Sequence, residues 1–210
     1  VWERKYEIDS LCYPVQLAYL LWKETGRTGQ FNDQYKKSTL RILDLFTVEQ
    51  DHSKSPYYFR RTNCPPTDTL THDGRGAPVA VTGMTWSGFR PSDDACTYHY
   101  LVPSNMFAAV VMGYLERIFG GEILDDADIA ARAGELRRTI TEGIEAHAKT
   151  TNRNGETIYA FETDGLGHVN IMDDSNVPSL MAAPYLGYCA PDDPTYLATR
   201  RTLLSDENPY

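Results

Sequence analysis

The spacing of apolar residues constrains this chain more than any other feature. In six stretches they recur every three or four positions, the period of a helix with one buried face. The first holds Leu11, Val15, Ala18, Tyr19 and Trp22. Asp9 or Ser10 stands where a cap is needed, Pro14 falls in the first turn, where a missing N–H costs little, and Gly26 closes the helix. The second runs from about Asn32 to Gln50, with Leu40, Leu43 and Phe46 on one stripe. The third starts near Pro103-Ser104, carries Met106, Val110, Tyr114 and Ile118, and ends at Gly120-Gly121. The fourth runs from about Asp125 to Thr150 through Ile129, Ala133, Leu136, Ile140 and Ile144. A fifth is expected after Ser175-Asn176, with Leu180, Met181, Tyr185 and Leu186, and Pro184 breaking or kinking it. A sixth follows Asp193-Pro194, with Tyr196, Leu197, Arg200 and Leu203. Helix follows helix with no shift in composition, so the expected class is mainly α and the expected organisation one domain over residues 1–210.

Two connections are unusually long, roughly His52 to Pro91 and Asn152 to Asp174. Loops of that length inside a compact domain are usually functional. The second carries a strand signal at Thr157 to Phe161, enough for a short hairpin.

Charge and cysteine usage exclude several classes. Twenty Lys and Arg stand against 29 Asp and Glu, a net charge of -9. A nucleic-acid partner needs a basic face, so none is expected. No apolar run reaches membrane-spanning length and no leader pattern opens the chain. Cys12, Cys64, Cys96 and Cys189 form no CxxC pair, so a zinc knuckle is not expected. They read as reduced thiols, with one disulfide left open, and a cytoplasmic location follows. Both ends read as cut from a longer chain: Trp2-Glu3-Arg4-Lys5-Tyr6 is densely patterned, and Asn208-Pro209-Tyr210 has no polar tail. The 14 Tyr and 3 Trp fit a well-filled core or a sugar-binding cleft, since both side chains join an apolar face to a polar handle.

Three stretches hold residues suited to chemistry. Thr82 to Cys96 packs two glycines, Trp86, Arg90 and the pair Asp93-Asp94 into fifteen positions. Adjacent carboxylates repel, so one is suited to keep a proton and act as a general acid. From spacing alone, capping the helix that begins nearby is the plainer reading of the pair. His168 to Ser179 gathers His168, Asn170, Asp173, Asp174 and Asn176, planar polar groups that suit sugar hydroxyls. A helix cap at Ser175 or Asn176 is the plainer reading, and the glycine and closing glutamate of a calcium loop are missing. Tyr6 to Pro14 carries Glu7 and Asp9, which line a cleft or simply favour a helix start. The five histidines form no ligand pair, and no phosphate loop or nucleophile elbow is present.

At these stretches the sequence resembles glycoside hydrolase family 125, the exo-α-1,6-mannosidases. The resemblance rests on Tyr6-Glu7-Ile8-Asp9-Ser10-Leu11-Cys12-Tyr13-Pro14, on Gly83-Met84-Thr85-Trp86-Ser87-Gly88-Phe89-Arg90-Pro91-Ser92-Asp93-Asp94-Ala95-Cys96, on Pro103-Ser104-Asn105-Met106-Phe107-Ala108 and on Met172-Asp173-Asp174-Ser175-Asn176-Val177-Pro178-Ser179-Leu180. It implies an (α/α)6 toroid of helical hairpins, of which 210 residues supply about half to two-thirds. It also implies inverting hydrolysis without a metal or other cofactor: one carboxylic acid protonates the leaving oxygen and a second carboxylate activates water, ~6.5–9.5 Å away. The acid is placed in Asp93-Asp94, with Asp93 preferred. The base is expected in a C-terminal segment beyond this chain; Glu162 is a tempting stand-in that does not receive the role. Trp86 and Arg90 are expected to stack on and hydrogen-bond the sugar, with Asp9, His168, Asn170, Asp174 and Asn176 near the pocket. The implied partner is a mannose-containing oligosaccharide or N-glycan, with no nucleic acid and no membrane. Half a toroid is expected to fold poorly alone, because apolar faces would lack their partners.

Three other readings are open. One is another toroid glycosidase, acting on α-glucosides or trehalose. A second is a carbohydrate-binding protein without catalysis. A third is a helical scaffold with no ligand, against which the Trp86 to Asp94 string argues.

Overall fold

A computed structural model describes residues 4–210, so the Trp2-Glu3 part of the N-terminal stretch lies outside the described residues. The helices are α1 (Asp9–Thr25), α2 (Asp33–Glu49), the single turn α3 (Thr71–Gly74), α4 (Val102–Phe119), α5 (Ala127–His147), the single turn α6 (Ala183–Leu186) and α7 (Pro194–Leu203). The strands are short: β1 (Tyr100–Leu101), β2 (Lys149–Thr151), β3 (Thr157–Tyr159), β4 (Glu162–Thr163) and β5 (Val169–Asn170). They form an antiparallel β2-β3 hairpin and a small antiparallel sheet ordered β1-β4-β5.

The long helices start and stop where local chemistry dictates. Asn32 accepts the N–H groups of Gln34 and Tyr35 before α2, Asp126 that of Ile129 before α5, and Asp193 that of Tyr196 before α7. Each side chain satisfies a donor that the first turn leaves free. Gly26 ends α1 in the left-handed conformation at φ 68°, which glycine adopts without strain.

α4 is the hub. Most of its residues are buried, and α1, α5 and α6 all pack against it. A helix apolar on every side belongs inside a core. Its first turn carries Asn105, whose Nδ2 donates to the carbonyls of Thr85 and Leu101, both at 3.0 Å, and whose Oδ1 accepts the Thr85 N–H at 2.9 Å. That side chain pins the 85–95 segment to the central helix.

Three expectations need correction. Neither Asp9 nor Ser10 caps α1: Ile8 holds the cap position with no side-chain bond, and Asp9 is already helical and buried. Pro14 lies inside α1, not in its first turn. The expected fifth helix shrinks to α6, because side chains take the N–H groups that would have built its start. Asp173 accepts from Ser175 at 2.7 Å and from Met181 at 3.2 Å, and Ser179 Oγ accepts from Ala182 at 3.1 Å. Short polar side chains compete with the helix in this way. Pro184 then falls in the first turn of α6, where it is tolerated.

The 52–91 connection holds no long helix or strand, only the single turn α3 and two shorter 3-10 turns. The Arg75 guanidinium donates to the carbonyls of Ser55 at 2.8 Å, Tyr57 at 2.5 Å and His52 at 3.0 Å, drawing the loop around one cation. All four cysteines are free thiols. No helix among the described residues is long and apolar enough to cross a membrane.

Candidate active site

The segment before α1 lies beside the 87–96 segment. The Tyr6 carbonyl accepts the N–H groups of Gly88 and Phe89, both at 3.1 Å. Past Phe89 the chain makes a hairpin turn: Arg90 N–H donates to the Asp94 carbonyl at 2.8 Å, Asp93 N–H to the Arg90 carbonyl at 2.9 Å, and Phe89 bridges Ala95. Asp93 occupies the left-handed region at φ 68°, which a short polar residue tolerates better than most. The Asp pair therefore caps nothing, since α4 begins only at Val102. The turn holds Asp93 outward with 72% of its side chain exposed, and Asp94 half-buried.

One cation steadies this turn. Lys5 Nζ donates to the Asp93 carbonyl at 2.7 Å, stands 3.8 Å from Asp93 Oδ1 and pairs with Asp68 at 2.6 Å. Asp68 also pairs with Arg61.

Arg90 folds beneath the turn instead of over it. It is buried, and its Nε donates to Glu162 Oε1 at 2.7 Å. Glu162 is wholly buried on β4, and its Oε2 accepts the N–H groups of Thr97 at 3.1 Å and Tyr98 at 3.4 Å and Asn170 Nδ2 at 3.5 Å. These donors make Glu162 a brace joining the Asp93 turn to the small sheet. Breaking such a buried pair from one side costs roughly 3–5 kcal/mol.

Two carboxyls beside the turn differ from surface groups. Asp9 is 5% exposed, its Oδ1 has no hydrogen-bond partner, and burial pushes its carboxyl up to about 6. Burial also raises Glu7, to about 7; the Ser10 hydroxyl works against this, while Asp9 and Asp93 add to it. The Ser10 hydroxyl donates to Glu7 Oε2 at 3.0 Å, and Glu7 lies near enough to Asp93 for their charges to interact. Glu7 was expected only to line a cleft or favour a helix start, and the Tyr6 to Pro14 spacing does not show that it interacts with residue 93.

The remaining expected residues are placed as follows. Trp86 is wholly buried, stacked between His52 at 3.7 Å and His99 at 4.6 Å, so neither ring face is open to a sugar. This corrects the stacking role expected of it. His99 Nε2 accepts the Ala77 N–H at 2.9 Å, which leaves Nδ1 to donate to the Ser87 carbonyl at 2.9 Å. Burial drives that imidazole down to about 4, so it stays neutral. His168 is exposed, packs parallel to the Tyr98 ring at 5.9 Å and bonds Asp164 at 2.6 Å. Burial opposes the Asp164 charge, but the Leu166 and His168 N–H groups and the His168 ring hold it below the usual range. Asn170 reaches Glu162, as above. Asp174 Oδ1 accepts the Asn176 N–H at 3.0 Å within an exposed loop. That loop is tied to α1 where the Tyr13 hydroxyl donates to the Val177 carbonyl at 2.8 Å.

The structure thus brings Glu7, Asp9, Asp93, Asp94 and, beneath them, Arg90 and Glu162 into one region. Among the described residues no group of three His, Cys, Asp or Glu side chains is placed to hold a metal ion. A cleft of about 530 Å³ lies elsewhere, lined by Tyr114, Arg117, Arg137, Tyr188 and Asp193, between α4, α5 and the start of α7.

An exposed Asp on a tight turn near carboxyls that burial keeps protonated to about 6 and 7 is chemically suited to exchange a proton. The chain belongs to the metal-independent α-mannosidases, glycoside hydrolase family 125, whose family model matches residues 1–210. It is similar to a solved structure from work on metal-independent α-mannosidases, a Streptococcus pneumoniae non-productive substrate complex with α-1,6-mannobiose. The two are 62% identical with a TM-score of 0.98, over 100% of this chain and 50% of that one. It is also 37% identical to the meiotically up-regulated gene 157 protein of Schizosaccharomyces pombe, over 100% of this chain and 43% of that protein. The chain therefore spans about half the length of the relatives it matches.

Proposed function

We propose that these 210 residues form part of the catalytic domain of an inverting exo-α-1,6-mannosidase that releases terminal mannose from oligosaccharides such as N-glycans. The observation that carries this reading is the match, along the whole chain, to an α-mannosidase complex with α-1,6-mannobiose. The general acid lies in the Asp93-Asp94 pair. Asp93 is the stronger candidate, because the hairpin turn presents its carboxyl outward beside Glu7. The base comes from outside these residues, since Glu162 is committed to Arg90 and two backbone N–H groups. Asp9 offers an unpartnered buried oxygen to a sugar hydroxyl. His168, Asn170, Asp174 and Asn176 supply further polar contacts, and Arg90 acts from beneath by holding the turn. The helices belong to an (α/α)6 toroid, with α4 and α5 as one of its hairpins. The four free thiols fit a reducing, cytoplasmic compartment.

The test is hydrolysis of α-1,6-mannobiose by this chain extended to the length of its relatives. Mannose release is expected to fall by at least about 10²–10⁴-fold in either Asp93→Asn or Asp94→Asn, the range for losing general acid–base catalysis. Turnover of α-glucosides but not of α-1,6-mannobiose would reject the substrate; full activity in both variants would reject the acid.

A further inference from the structure

We propose that Tyr13 is a positioning residue for the mannose site: its hydroxyl clasps the 173–177 loop, with Asp174 and Asn176, to the Asp9 end of α1, a role that rests on those two loop groups binding sugar.

The loop is held at its two ends by different chemistry. At its base Asp173 is buried, and its carboxylate accepts the N–H groups of Ser175 at 2.7 Å and Met181 at 3.2 Å. The Asp173 N–H and carbonyl pair with the Asn208 side chain, both at 3.1 Å. At its far end the Val177 carbonyl accepts the Tyr13 hydroxyl at 2.8 Å. Between these anchors Ser175 turns the chain in the left-handed region at φ 62°, and Asn176 is exposed. Asp174 Oδ1 accepts the Asn176 N–H at 3.0 Å, but among the described residues neither Asp174 Oδ2 nor the Asn176 amide has a hydrogen-bond partner. Both are left for a ligand with hydroxyl groups. Ordering such a loop only when substrate arrives costs binding energy, so a clasp that orders it beforehand strengthens binding. Tyr13 stands where that clasp is useful. Four residues after Asp9 on α1, it is the neighbour of Asp9 on one helix face, and Asp9 Oδ1 is the buried oxygen without a partner. The Tyr13 ring packs edge-on against the buried Phe107 of α4 at 5.1 Å, which fixes the ring while leaving 38% of the residue exposed. The same face continues through Leu17 and Leu20, so Tyr13 marks the level at which α1 changes from polar to apolar. A side chain with an apolar body and a polar tip suits that boundary.

The test is hydrolysis of α-1,6-mannobiose by the chain extended to the length of its relatives. Tyr13→Phe keeps the ring and removes the clasp. KM is expected to rise about 3–10-fold, the worth of one hydrogen bond that orders a binding loop, with kcat within about twofold of the parent. Backbone amide exchange without substrate is expected to quicken over residues 174–177 and to stay unchanged in α4. A merely structural Tyr13 lowers the melting temperature and leaves KM alone, and that outcome overturns the proposal. A variant lacking both loop groups, Asp174→Ala with Asn176→Ala, shows the route. It should raise KM by itself, and adding Tyr13→Phe should then raise KM by less than about twofold more, because the clasp has nothing left to position. Rises that multiply in full mean that Tyr13 acts on its own, and they overturn the proposal as well. The two readings fail separately. If the variant lacking both loop groups keeps the parent KM, these groups do not hold sugar and the clasp falls with that reading. If it raises KM but Tyr13→Phe does not, the sugar contacts stand and Tyr13 has no part in them.

Discussion

A carboxyl group taken out of water by folding keeps its proton to higher pH, and that retention has a cost once it ionises. Asp9 is the clearest case: buried, with an unpartnered oxygen and a carboxyl raised to about 6. Because its folded value lies above its unfolded one, the native state binds more protons between the two. The favourable contribution is complete below the unfolded value and is lost as pH rises through about 6. Asp9→Asn removes the ionisation without changing the shape. It should therefore raise the melting temperature at pH 7.5 by several degrees, about 1–3 kcal/mol, with little difference at pH 4. Melts of the two proteins at both pH values check this, and equal melting at pH 7.5 would contradict it. A buried, unsatisfied carboxylate kept at such a cost is a mark of function. The residues of this region were legible as strings but not as a site. Asp93 and Asp9 stood out by type; Trp86 misled, because the histidines that cover its faces, His52 and His99, come from distant parts of the chain. The turn that presents Asp93 outward depends on a left-handed residue that spacing does not reveal.

Elements bounded by local chemistry were legible, and those settled by distant contacts were not. The starts of α2, α5 and α7 follow from Asn32, Asp126 and Asp193, each bonding within three residues. The 173–182 loop misled because Asp173 draws in the N–H of Met181, a contact that periodicity does not encode. Glycines on α5 give a sharp test at this scale. An added Cβ at Gly143 meets the Thr82 carbonyl oxygen at 2.5 Å and the Met84 nitrogen at 3.0 Å, both backbone atoms that cannot swing aside. At Gly134 the nearest atom is Glu116 Oε1 at 3.3 Å, the end of a flexible side chain. Alanine gains about 1 kcal/mol over glycine in a helix interior. Gly134→Ala should thus be neutral or stabilising by up to about 1 kcal/mol, whereas Gly143→Ala should lose about 1–3 kcal/mol from overpacking. Urea midpoints of the two variants check the contrast. Equal midpoints would mean that α5 does not press on the 82–84 segment as tightly as the structure has it.

At the scale of the whole molecule, one helix carries more apolar surface than its packing here uses. α1 buries Cys12, Val15, Ala18 and Tyr19 toward α4, yet Tyr13, Leu17, Leu20 and Leu21 recur on its other side with 38% to 70% of each exposed. Shallow clefts run along that face, one lined by Tyr13, Pro14, Leu17 and Leu20, another by Leu11, Pro14, Ile42 and Leu45. A helix apolar on both sides belongs between two layers, and a contiguous exposed apolar patch marks a surface meant to be covered. The relatives supply about as much chain again as these residues, enough for the rest of a helical ring. In the proposed toroid that further chain covers α1. The double substitution Leu17→Glu with Leu20→Glu separates the two environments. In the 210-residue chain both positions lie on the exposed face, so stability should move by no more than about 1 kcal/mol and binding of an apolar dye should fall. In the chain extended to the length of its relatives the same pair puts two carboxylates into a packed interface, and unfolding should become easier by more than about 3 kcal/mol. Denaturant titrations of the four proteins read the difference directly. If the extended chain tolerates both glutamates, the α1 face is open to water there too, and the ring must close along another helix.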